Sequence, residues 1–173
     1  VAARREGIAT PILVGHADEI RRMLREQHED SDAYQIVPAD SDTDCAAQAV
    51  SLCAQGKANF LMKGILGTAD LMRAVFNKEQ GLRTSHLTTH CMFYEIPALG
   101  KMLILTDGGV NTFPDLEKKA EILENAAAVL QALGYTSINA ACICGAEQVN
   151  PKVQSTVDAD ALTKMTDRWA KYN

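Results

Sequence analysis

Four clusters of polar residues in this chain carry groups able to hold an anion or move a proton, and each follows a short apolar run. In order they are Lys63-Gly64 with Thr68, Gly81-Leu82-Arg83-Thr84, Thr106-Asp107-Gly108 with Asn111 and Pro114, and Glu147 with Asn150, Pro151 and Lys152. Open α/β sheets bind their ligands just beyond the carboxyl ends of strands, which is where these clusters fall. Lys63 stands between an apolar run and a helix start at Thr68, a setting suited to an anion at a helix N-terminus; a plain surface lysine is the other reading. Arg83 has the planar fork that grips an oxyanion bidentately, although a lone arginine is more often a solvated surface group. Asp107 emerges at a strand end where Gly108-Gly109 allows close backbone approach, but its carboxylate can equally cap its own loop through nearby amides. His90 heads an apolar run; histidine is the side chain that ordinarily titrates near neutrality, and a hydrogen-bonded structural role weighs evenly against an acid–base one.

The elements that must position these groups follow from the rhythm of the chain. Short apolar runs alternate with amphipathic stretches of about 10 to 20 residues, the pattern of parallel α/β units. Strands are expected at residues 11–14 and 34–37, with a helix at 17–27 between them. A further helix is capped by Asp42 or Thr43 and stopped by Gly56. Residues 59–62 read as a strand delivering Lys63, and Thr68 opens the next helix. Residues 87–96 and 101–106 read as an antiparallel pair joined by the Pro97 to Gly100 turn. A long helix from Pro114 or Asp115 to about Leu133 ends at Gly134, a strand spans 137–144, and a last helix covers 158–170 with Thr156 as its N-cap. No repeat or linker divides the chain, so a single α/β domain over residues 1–173 is expected.

Composition narrows the function classes. An apolar fraction of 47% with mixed charge describes a folded chain. The net charge of −5 argues against a general nucleic-acid binder, which needs a basic surface. No apolar run reaches the roughly 20 residues of a membrane span, and no secretory segment opens the chain, so no membrane partner and a cytoplasmic location are expected. The five cysteines form an odd set, and Cys142-Ile143-Cys144 lacks the second pair of a zinc site; they read as buried, reduced packing residues, and no metal site is expected. Gly64-Ile65-Leu66-Gly67 fits neither a dinucleotide fingerprint nor a nucleotide-triphosphate loop, and no Gly-x-Ser-x-Gly occurs.

Taken in order, the Met-Lys-Gly element at Lys63, the Leu-Arg-Thr element at Arg83, the Asp107 to Pro114 loop and the Glu147 to Lys152 run resemble the phosphate acetyl/butyryltransferase family, most closely its butyryl-type branch. Where family members commonly carry Ser-His, this chain has Thr89-His90. The resemblance implies a three-layer α/β/α fold like that of isocitrate and isopropylmalate dehydrogenases, mostly parallel with an antiparallel strand pair. It implies reversible transfer of an acyl group, butyryl or acetyl, between coenzyme A and inorganic phosphate in a ternary complex. Coenzyme A is then a co-substrate, no cofactor is permanently bound, the partners are small molecules, and the protein forms a homo-oligomer. Lys63, Gly64, Thr68, Arg83, Thr84, Asn111, Glu147 and Asn150 are implied to bind the substrates, with Asp107 and His90 as the catalytic candidates. Nearly all of this chain but only about half of a two-domain family member is covered, so activity of this segment alone is in question. Two other readings stay open: a non-catalytic domain that binds acyl-CoA or phosphate, and a metal- and NAD-dependent hydroxyacid dehydrogenase of the same fold.

Overall fold

Two apolar runs near the start of the chain pair side by side. Strand β1 (Ile12–Gly15) and strand β2 (Gln35–Pro38) form a parallel ladder with Ile12 opposite Gln35 and Val14 opposite Val37. The helix between them, α2 (Ala17–Glu26), places Asp18 and Glu19 in its first turn and Arg25 in its last, each complementing the helix dipole, and buries Leu24. This is a βαβ unit, and its ends fall within a residue of those expected from the sequence. A short helix, α1 (Ala2–Arg5), precedes it. The computed structural model describes residues 1–172, and its contacts divide the chain into two units, Val1–Ser85 and His86–Asn173.

In the first unit, α3 (Asp42–Ala54) is capped by Ser41, whose Oγ accepts from the Asp44 amide at 3.2 Å. The cap therefore lies one residue before the Asp42 or Thr43 expected: Ser41 has the extended backbone that aims a side-chain oxygen at the third helical amide. Ala46 and Val50 on α3 are buried, and the helix packs against β1 and against α4 (Thr68–Val75). Gly56, at φ +69°, ends α3 as expected.

In the second unit, β3 (Met92–Ile96) and β4 (Lys101–Leu105) form the expected antiparallel pair, Phe93 opposite Ile104, turned by Pro97–Leu99 and by Gly100 at φ +56°. The long helix α5 (Leu116–Ala132) is capped by Asp115, which accepts from the Lys118 amide at 2.9 Å, and it buries Ala120, Ile122, Ala126 and Ala127. It packs against α6 (Gln154–Lys164), where Lys119 of α5 meets the buried Asp158 of α6. After Met165 comes α7 (Thr166–Trp169), whose Trp169 indole donates to the Leu162 carbonyl at 2.6 Å.

Among the described residues the protein is thus mixed α/β, with a two-stranded parallel sheet and a two-stranded antiparallel one. Several expectations fail. Residues 59–62 and 137–144 form no strand, and β3 begins at Met92, not at residue 87. Phe60, Met62 and Ile143 are exposed: an apolar pattern makes a strand only where a neighbouring backbone supplies the ladder, and among the described residues none does. The last helix starts at Gln154 and breaks at Met165, so Thr156 lies inside its first turn instead of capping it. The five cysteines are all free, but none is fully buried as expected: Cys45, Cys53, Cys91 and Cys144 are half-buried, and Cys142 is exposed, following the same missing strand. Among the described residues no helix is long and apolar enough to cross a membrane.

Candidate functional site

In the first unit the candidate residues gather at the two ends of α4. Gly67 is its N-cap and offers no side chain, so no capping side chain accepts from the first-turn amides. Lys63 and Gly64 precede that end in an irregular, exposed segment, and the Lys63 ammonium donates to the Leu66 carbonyl at 3.3 Å. Thr68, the first helical residue, is exposed beside it. Asp70 in the first turn is engaged by Arg73 at 2.7 Å, which partly neutralises the one carboxylate that would repel an anion there.

Arg83 and Thr84 leave from the other end of α4, about 12 Å away at 1.5 Å per residue. The turn that releases them is built tightly. The Asn77 side chain accepts from the amides of Glu79 and Gln80, both at 2.9 Å, the Gly81 amide donates to Asn77 O at 3.0 Å, and the Leu82 amide donates to Val75 O at 2.9 Å. A β-carbon on Gly81 would collide with the carbonyl oxygens of Val75 and Asn77, so only glycine fits. Arg83 is exposed and, among the described residues, its guanidinium has no hydrogen bond or ion pair.

In the second unit, Asp107 follows β4 and organises the loop after it. Its Oδ1 accepts from the amides of Gly109 at 3.2 Å and Val110 at 3.1 Å, while its Oδ2 accepts from the Asn111 amide at 3.2 Å and from the Asn111 side chain. Burial pushes the carboxyl up, but the Asn111 side chain and these three amides outweigh it and hold Asp107 below the ordinary aspartate range. The group is a saturated acceptor. Asn111 uses its second proton on the Thr88 carbonyl at 3.0 Å. His90 lies two residues further on, exposed, with Nδ1 3.6 Å from where a β-carbon on Gly108 would stand. The structure therefore brings Asp107, Asn111 and His90 together.

Glu147 and Asn150 sit in a different part of this unit, on residues 145–151, which line an open concavity of about 650 Å³. Glu147 is exposed and unpaired among the described residues. Asn150 is committed to its own turn: its side chain accepts from the Lys152 amide at 3.0 Å, and its amide donates to Thr156 Oγ1 at 2.9 Å. Thr156, expected as a helix cap, is instead buried and ties the loop to α6.

Two further residues escaped the sequence reading. Asn125, within α5, donates through its side chain to Leu87 O at 2.8 Å and to Thr89 Oγ1 at 3.2 Å. Asp158 is buried with Lys119 and Gln154 around it; Lys119 above all, then Gln154, holds its carboxyl low. The available signal was an amide or carboxylate set among apolar helix positions, which demands a partner.

Comparison with known proteins places this arrangement. Residues 42–171 match the family described as phosphate acetyl/butaryl transferase, and every candidate residue from Lys63 to Asn150 lies within that span. The chain is 40% identical over 166 residues to a phosphate butyryltransferase of Clostridium acetobutylicum, covering 96% of this chain and 55% of that protein. It is 36% identical over 168 residues to a phosphate acetyltransferase of Rhizobium meliloti, covering 97% of this chain and 53% of that protein. Among solved structures, a branched-chain phosphotransacylase from Enterococcus faecalis superposes with a TM-score of 0.71 at 29% identity, covering 90% of this chain and 64% of that one. The chain spans about half the length of the curated relatives it matches. On these matches, the chain belongs to the phosphate acetyl/butyryltransferase family.

Proposed function

We propose that this chain provides part of the site of a phosphate acyltransferase, which passes an acyl group, butyryl or acetyl, between coenzyme A and inorganic phosphate. The observation that carries the reading is the family match over residues 42–171, which encloses all ten candidate residues. In the reaction a phosphate oxygen attacks the thioester carbonyl, a carbon–oxygen bond forms, the carbon–sulfur bond breaks, and the coenzyme A thiolate leaves and takes up a proton. In reverse, the thiol must lose that proton to a base. Arg83 and Lys63 are the cations for the phosphate groups; the uncapped amides at the start of α4, with Gly64 and Thr68 beside them, add fixed positive dipoles at no cost in side-chain ordering. Thr84 is read as a neighbouring contact of Arg83, and Glu147 and Asn150 as lining residues.

Within this reading His90 is the acid–base group of this segment. Asp107 has its acceptor positions filled by four donors and is held ionised, so its part is to shape the loop and, through Asn111, the approach to His90. The larger layered fold of the isocitrate-dehydrogenase type belongs to the same proposal.

A chimera tests it: the matched 166 residues of the Clostridium acetobutylicum relative are replaced by this chain. Loss of thioester absorbance from butyryl-CoA and acetyl-CoA is followed with and without phosphate. Phosphate-dependent loss that disappears in the Arg83→Ala chimera is the expected result. A folded chimera that binds coenzyme A without any turnover, beside an active relative, would overturn the enzymatic reading in favour of a binding domain.

A further inference from the structure

We propose that Asn125 is a positioning residue that sets the segment carrying His90 against the Asp107 loop; the inference rests on the reading of His90 as a site residue given above. Residues 87–91 belong to no strand, and among the described residues no backbone–backbone hydrogen bond holds them. Side-chain amides hold them instead. Asn125 spends both of its amide protons here, on Leu87 O at 2.8 Å and on Thr89 Oγ1 at 3.2 Å. Between those two residues, Thr88 O accepts from Asn111 at 3.0 Å, and Asn111 is itself tied to Asp107. Three successive residues are thus pinned from two sides, and His90 is the next residue in the chain.

The two tethers differ in what stands behind them. Asn111 belongs to an irregular loop, whereas Asn125 belongs to α5, flanked by the buried Ile122, Ala126 and Ala127. A site side chain keeps its place when the residue that orients it sits on a rigid, packed element, and α5 is that element here. Asparagine is also a poor choice for a helix interior unless its amide has an outside task. Leu87 and Thr89 supply that task. Asn125 touches no reacting atom in this arrangement and acts only through the segment it holds.

The test combines NMR of this chain with kinetics of the chimera. Asn125→Ala removes both bonds, and Thr89→Val removes one without altering α5, so a folding failure of the first leaves the second informative. The expected result is a drop in backbone order parameters at residues 87–90, from the rigid range near 0.85 to below about 0.6. The His90 ring signals move with it while those of His16 and His28 stay in place, and Thr89→Val gives the smaller change. In the chimera Asn125→Ala lowers kcat per folded molecule, with the folded fraction counted by circular dichroism, about tenfold and leaves KM for phosphate within about twofold; a merely destabilised fold would lower the folded fraction and leave the rate per folded molecule unchanged. Folded variants with unchanged order parameters and His90 signals overturn the proposal. If order and ring signals change while kcat does not, Asn125 positions the segment as proposed and the assignment of His90 to the chemistry is what fails.

Discussion

Replacing Asp107 by asparagine removes a charge from the centre of four donors without changing the size of the side chain. The amides of Gly109, Val110 and Asn111 and the side chain of Asn111 all converge on the carboxylate. A hydrogen bond to a charged group contributes about 1.5 to 3 kcal/mol, and a half-buried loop lets water replace part of it. Asparagine keeps one acceptor oxygen and turns an NH2 group toward donors. About two of the four bonds are lost, and we expect a loss of about 2 kcal/mol in the stability of the second unit. The pH dependence follows from the direction of the shift. The pKa of Asp107 is lower in the folded protein than in the unfolded chain. Its contribution is therefore complete above the unfolded value, about 3.9, and is lost as pH falls through the folded value. The assay is urea unfolding followed by fluorescence of Trp169, the single tryptophan, which lies in the same unit as Asp107. The gap between wild type and Asp107→Asn should be full near neutral pH and should begin to narrow below about pH 4. A gap under about 0.5 kcal/mol at neutral pH, or one that does not change in acid, would refute the view that the ionised carboxylate organises this loop.

The turn after α4 supplies a second prediction: Gly81→Ala forces a β-carbon into the carbonyl oxygens of Val75 and Asn77 and should destabilise the first unit by about 2 kcal/mol or more, read as a lowered thermal midpoint. In the chimera, Arg83→Ala should cost about 1.5 to 3 kcal/mol in kcat/KM for phosphate, because a charged hydrogen bond is lost. It should leave stability unchanged, since the side chain has no partner among the described residues; an unaltered kcat/KM removes Arg83 from the site. Asp158→Ala leaves the partly buried Lys119 ammonium without its counter-charge and should destabilise the second unit by about 2 to 3 kcal/mol, with Asp158→Asn intermediate, as judged from urea midpoints.

Local features were legible wherever one residue and its close neighbours settle the conformation. The β1–α2–β2 unit, the stop at Gly56, the Asp115 cap of α5 and the hairpin turned at Gly100 all follow from short-range chemistry: hydrophobic period, side-chain oxygens at helix starts, and glycine at positive φ. The misplaced cap at Ser41 is the limit of that approach. Ser41, Asp42, Thr43 and Asp44 are all capping residue types, and only the backbone angles choose among them.

The sequence by itself determined the family, because the clusters at Lys63, Arg83, Asp107 and Glu147 keep their order and local neighbours whatever the surrounding packing does. It also determined that the chain is mixed α/β. Which apolar runs become strands was decided only in three dimensions: residues 59–62 and 137–144 have the composition of strands, but a ladder needs a second backbone, which composition cannot supply. The work of Asp107 was likewise open in the sequence, where proton transfer and loop capping use the same residue. Four donors arriving from residues 109–111 filled its acceptor positions in the folded chain. Asn125 lay hidden for the matching reason: its partners stand 36 and 38 residues away, and only folding brings an amide on a helix to carbonyl and hydroxyl oxygens so distant along the chain.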